Sequence, residues 1–138
     1  MRRDIPLADL EDFLALPLVA VLGTYRRDGG VLLSPVWHRW STGGFEVMTG
    51  LNNIKVRHLR SDPRASIVVY ENAPPYRGVE LRTTATLQTI ENDEVVRDIA
   101  SRYLGEEGGE AFAASSDDGI LIRLEPGDVR TWDFAGDF

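Results

Sequence analysis

Short β-branched or alternating runs, separated by Gly, Pro, Asn and Asp, recur along this chain, and that punctuation restricts its fold more than any other feature. LVAVLGTYR is closed by Arg27-Asp28-Gly29-Gly30, after which VLLSPVWHRW resumes strand composition, the pattern of a β-hairpin. Ser41-Thr42-Gly43-Gly44 makes a second turn, and FEVMTG alternates Phe45, Val47 and Thr49 against Glu46 and Met48 as a third antiparallel strand. RASIVVYE, the long alternating RGVELRTTATLQTI, GILIRLEP and DVRTWDF read as further strands, with NAPPY turning the chain between the first two. Strand and helix do not alternate regularly, which argues against a parallel sheet. The expectation is a mainly β (α+β) chain of six to seven antiparallel strands in a small split or closed β-barrel, with short peripheral helices.

Three segments shift to a helical period. Asp4 to Leu16 offers Asp4 as N-cap, Pro6 near the first turn, and Leu7, Leu10, Phe13 and Leu14 on one face. Leu51 to Arg60 spaces its apolar residues for one or two turns before Asp62-Pro63 stops the helix. Asn92 to Leu104 has Asn92 and Asp93 as caps and sets Val95, Val96, Ile99 and Tyr103 on one side, with GEEGG expected to end it. At 138 residues the chain suits one domain spanning residues 1–138, and no internal repeat divides it.

Composition narrows function mostly by exclusion. No apolar run approaches the roughly 20 residues that span a bilayer, and the basic start MRRDIPLADLEDF is not followed by an apolar block, so the chain reads as cytoplasmic. With no Cys and only His38 and His58, far apart in sequence, disulfides and thiolate catalysis are excluded and no metal centre is expected. A net charge of −7 repels nucleic acid and anionic membrane, so any bound anion must be held locally. The basic residues are Arg throughout, save for Lys55.

Familiar catalytic constellations are missing. There is no G-x-S-x-G elbow, since Ser34 is followed by Pro35 within a strand, and neither glycine pair has the spacing of a dinucleotide or phosphate loop. His38 reads as a strand residue near the barrel surface and His58 as an exposed helical residue. Asp93-Glu94 and Glu106-Glu107 fall at a helix start and a Gly-rich surface turn, where solvated charge is ordinary. What remains is TGLNNIKVRHL, where Lys55 and Arg57 stand at the opening of a helix. Cations there oppose the positive end of the helix dipole, an arrangement that makes sense if an anion joins both the free N–H groups and the ammonium. The competing reading is two surface cations whose penalty is only tenths of a kcal/mol.

The order of VAVLGTYRRDGG, LLSPVWHRW and FEVMTGLNNIKVRHLRSDPRASIVVYE resembles the pyridoxamine 5′-phosphate oxidase-like superfamily, especially its small branch that uses FMN or coenzyme F-420. GVELRTTATL and RLEPGDVRTWDF extend the likeness over nearly the whole chain, and Thr49 to Pro63 is its most specific part. The resemblance implies a split β-barrel of FMN-binding type, a homodimer with cofactor sites at the subunit interface, and Lys55 on the cofactor phosphate. By the same carry-over, Val36, Trp37 and His38 lie along the ring system, and Met48 and Thr49 lie beside the ring or ribityl chain. Asn53 stands where relatives often carry Arg or Ser, and Ile54 where the pyridoxamine phosphate oxidases proper carry Arg, which leaves Arg57 as the cation to compensate. Thr83 or Thr84 replaces the Gly of the long strand.

An F-420- or FMN-dependent oxidoreductase that transfers a hydride to or from a small conjugated substrate follows from this likeness, with the Arg-rich composition tilting the choice toward F-420. The cofactor does the redox chemistry in such an enzyme, so no catalytic base has to be visible. The alternatives are an FMN-dependent pyridoxamine phosphate oxidase-like protein, a non-catalytic flavin- or haem-binding barrel, and a degenerate site on an interaction module. Trp37 and Trp132 are the aromatics that could stack on a cofactor or on the partner subunit, although large aromatics in small barrels more often fill core.

Overall fold

In the computed structural model, which describes residues Met1 to Phe138, the strand runs form one curled antiparallel sheet. The elements are β1 (Arg2–Arg3), a 3-10 turn (Leu7–Leu10), α1 (Glu11–Leu14), β2 (Ala20–Tyr25), β3 (Val31–Val36), β4 (His38–Ser41), β5 (Gly44–Gly50) and α2 (Ile54–Ser61). They continue with β6 (Arg64–Tyr70), β7 (Gly78–Thr89), α3 (Glu94–Ala114), β8 (Gly119–Leu124) and β9 (Asp128–Asp133). The strands follow the order β3-β2-β6-β7-β8-β5-β4, with β9 beside β7 and β1 beside β9. No helix is long and apolar enough to cross a membrane.

β7 builds the curl. Its first part pairs with β6 and β9, and from Ala85 onward it pairs with β8, so one long strand carries the sheet from one half of the barrel to the other. The two ends of the strand order, β3 and β4, are consecutive in sequence and separated only by Trp37. The sheet therefore curls until its edges meet at that residue. Inside lie Phe13, Leu14, Leu22, Phe45, Ile67, Leu81, Ile122 and Leu124, all fully buried. At β4–β5, Thr42 and Gly43 both take positive φ (53° and 78°), the conformation of a tight two-residue hairpin turn.

Three expectations are corrected and one is extended. VLLSPVWHRW is two strands rather than one, interrupted at Trp37, and with the two-residue β1 this raises the strand count to nine. Asp4 does not cap a helix; it has φ 55°, and the helical stretch begins after Pro6 as a 3-10 turn. His38 is fully buried rather than near the surface. The expected helix end at GEEGG is found at Gly105 (φ 81°, ψ 170°), but a second helical segment that the sequence reading did not foresee follows it, opened by Glu106 and Glu107. That segment folds back on the first, with Glu110 pairing with Arg97 at 2.6 Å. Gly109 permits the approach, since a Cβ there would lie 1.9 Å from the Ser101 Oγ.

Candidate functional site

A cavity of about 590 Å³ opens where the sheet edges meet. The break between β3 and β4 supplies Pro35, Val36 and Trp37, and the end of β5 supplies Met48, Thr49 and Gly50. Lys55 comes from the first turn of α2, Val96 and Phe112 from the two segments of α3, Ser116 to Asp118 from the loop that follows, and Gly119 from the start of β8. A larger polar cleft of about 730 Å³ lies between Arg39, the end of β7 and the start of α3. Its cations are already paired, Arg39 with Glu46 and Asp98, and Arg97 with Asp93 and Glu110. The smaller cavity is the better binding site because it joins an apolar wall to an unpaired cation.

That cation is Lys55. Its side chain is half-buried, and burial alone holds its pKa below the ordinary lysine value, with no carboxylate neighbour raising it. Asp117 and Asp118 line the same cavity without pairing with it. Asn53 caps α2, its Oδ1 accepting the Lys55 N–H at 3.0 Å, so the amide is committed to the helix and one free N–H is already satisfied. Ile54 is exposed and does not line the cavity. Arg57 is also exposed and outside it, as expected for a residue about 200° around the helix from Lys55.

The opposite wall is aromatic. Trp37 stacks on Tyr103 with ring centroids 5.1 Å apart and planes 8° apart, and Phe112 tilts against the indole at 5.3 Å. His38 turns the other way. Its ring packs edge-on against Phe45, neither ring nitrogen has a hydrogen-bond partner, and burial pushes its pKa down to about 4. Its backbone is also occupied, with the N–H given to the Tyr103 hydroxyl and the carbonyl accepting from Arg102. His58 is half-buried on α2, with Nδ1 3.0 Å from the Thr24 hydroxyl.

Of the residues singled out in the sequence, Val36, Trp37, Met48, Thr49 and Lys55 are therefore brought together, whereas His38, Asn53, Ile54 and Arg57 are not. Trp132 lies over Gly78 on another part of the sheet and lines a different cleft. Sequence reasoning missed Val19, Ile90, Phe112 and the Ser116–Asp118 loop. No local pattern marks them, because they reach the cavity only through strand pairing and the reversal of α3.

The profile described as pyridoxamine 5′-phosphate oxidase matches residues 7–133, nearly the whole chain. The chain belongs to the pyridoxamine 5′-phosphate oxidase family. Solved structures agree on the fold. A conserved hypothetical protein from Mycobacterium tuberculosis is 23% identical with a TM-score of 0.77, over 95% of this chain and 86% of that one. An F420 reductase is 22% identical with a TM-score of 0.69, over 86% of this chain and 94% of that one. HutZ, the heme storage protein from Vibrio cholerae, is 19% identical with a TM-score of 0.66, over 88% of this chain and 91% of that one. At such identities the likeness establishes the shared barrel. No curated protein matches the chain in sequence.

Proposed function

We propose that this family member is a homodimeric oxidoreductase that binds FMN or F-420 in the cavity at the β3–β4 junction and acts on a small conjugated substrate. The observation that carries this reading is the pairing of Lys55, half-buried and without a carboxylate partner, with an apolar wall of Val36, Trp37, Met48 and Phe112. A volume of about 590 Å³ suits a ligand of this size. The donor set fits a group with one anionic end and one flat apolar end.

When bound, a flavin or deazaflavin ring supplies the hydride-transfer chemistry. The protein's part is positional. Lys55 would neutralise the phosphate as a point charge, and it would do so alone, since Asn53 is spent on its cap and Arg57 faces away. Trp37 and Met48 would flank the ring, and Thr49 with the end of β5 would lie along the sugar-like chain. Val36 and Phe112 would exclude water from the reacting face. The haem-storing alternative is less well served, because no histidine of this chain lines the cavity.

A second copy is the proposed cover for the outer face of β2, β3 and β6. Val31 and Leu33 are 50% and 67% exposed there, and Val19, also 50% exposed, carries the apolar surface into the cavity wall. A twofold contact on this face would place the partner beside the site.

Equilibrium titration of the purified protein with FMN and with F-420, followed by ring fluorescence, tests the assignment. Micromolar or tighter binding of one is expected, and Lys55→Ala should weaken it by about tenfold or more, the usual cost of losing a charged hydrogen bond. Binding of neither would end the oxidoreductase reading.

A further inference from the structure

We infer that Tyr103 is a positioning residue for the proposed cofactor site, holding the β3–β4 break open so that Trp37 faces the cavity. The inference deepens the reading above and rests on it for its ligand. Tyr103 does not itself line the cavity.

The argument begins with the backbone. A strand that continued through Trp37 would keep its N–H and C=O groups in a ladder, and leaving buried ones unpaired is costly. The sheet stops pairing at this residue, and α3 bonds to the backbone of the next one, His38, where β4 begins. The Tyr103 hydroxyl receives the His38 N–H at 2.9 Å and lies 3.0 Å from the Leu18 carbonyl oxygen and 3.2 Å from that of His38. Arg102 adds bonds from Nε to the His38 carbonyl at 3.0 Å, and from its two terminal nitrogens to the carbonyls of Ala15 and Leu16 at 3.1 and 3.0 Å. Two adjacent side chains thus tie the approach to β2 and the β3–β4 break to one turn of α3.

The ring of the same tyrosine then fixes the indole. Parallel stacking at 8° covers one face of Trp37 and leaves the rest of the residue toward the cavity. Hydroxyl and ring therefore act on consecutive residues: the first captures the backbone of His38, the second orients the side chain of Trp37. Burial raises the Tyr103 pKa, so the hydroxyl stays protonated at neutral pH and its bonding pattern is constant.

The test uses the full chain with FMN, or with F-420 if that is the cofactor the wild type binds. Affinity, thermal midpoint and the ligand-free near-UV circular dichroism of Trp37 are measured for wild type, Tyr103→Phe, Tyr103→Leu, Trp37→Phe and the Trp37→Phe/Tyr103→Leu double variant. The Trp37 signal is the difference between wild type and Trp37→Phe. Tyr103→Phe keeps the ring and should bind about fivefold more weakly, and Tyr103→Leu about tenfold or more, with the Trp37 signal reduced. In the Trp37→Phe background, Tyr103→Leu should change affinity by less than about twofold, since its effect runs through the indole. If Tyr103→Leu does not fold, Tyr103→Phe decides alone. Variants that melt earlier yet keep wild-type affinity and the full Trp37 signal would overturn the inference, as would independent, multiplying effects of the two substitutions. If the wild type binds neither cofactor, the oxidoreductase reading falls by itself, and an unchanged Trp37 signal in Tyr103→Leu and Tyr103→Phe overturns the positioning role separately.

Discussion

Strands β2, β3 and β6 carry apolar side chains on both faces, but only one face is covered. Toward the barrel interior, Ala20, Leu22, Ile67 and Val69 are fully buried beneath Phe13, Leu14 and Leu81. On the other side Val21, Val31, Leu33 and Val68 surround a shallow groove over Gly23, and the edge residue Leu33 is 67% exposed. The same residue types thus hold the fold together on one face and stand in solvent on the other, where a second copy is proposed to dock. Covering, rather than hydrophobicity, separates the two roles.

Truncation on the covered face should have the largest effect. Leu22→Ala is expected to cost about 3 kcal/mol in urea unfolding, through lost burial and a residual cavity. A cost under about 1 kcal/mol would mean that the inner face is not the core.

The second expected effect concerns His38, the polar intruder among the covered residues. Its folded pKa of about 4 lies below the ordinary 6.5, so the unfolded chain takes up the proton first as pH falls. Stability from this residue is fully present above about pH 6.5, is lost between about 6.5 and 4, and levels off below that, for a total of at most about 3 kcal/mol. His38→Leu, which removes the two unpaired ring nitrogens, should flatten that part of the stability–pH curve. An unchanged slope would show that other groups carry the acid sensitivity.

The smallest effect on the fold should come from the uncovered face. Leu33→Glu is expected to leave the unfolding free energy of the monomer within about 0.5 kcal/mol while dissociating the proposed dimer, as read by sedimentation. A monomer destabilised as strongly as by Leu22→Ala would erase the contrast between the faces. A dimer that survives would move the interface elsewhere.

How far the site could be read in advance varies residue by residue. Lys55 stands out as the lone lysine at a helix start, and the turn chemistry around it marks α2 correctly. His38 shows why the rest was harder. Strand parity places Ser34, Val36 and His38 on one face, and all three are buried, yet the polarity of an imidazole argues for the surface. Parity was the better guide because Phe45, across the β4–β5 hairpin, and Tyr103, from distant α3, enclose the ring. Gly105 shows the reverse case. A Gly-rich stretch ordinarily ends a helix, and Gly105 does so here, but close packing of Gly109 on Ser101 lets a second helical segment follow and turn back on the first.

The sequence by itself determined most of the strand runs, the hairpins between neighbours and the family likeness, because turns and alternation act over a few residues. The tertiary structure alone decided which residues share the cavity. Lys55, Trp37 and Phe112 meet only after β7 has curled the sheet, Tyr103 has captured the break at Trp37, and α3 has folded back on itself. The curl and the Tyr103 contact join segments far apart in the chain, and the reversal of α3 rests on side-chain packing across Gly105, none of which a local pattern records.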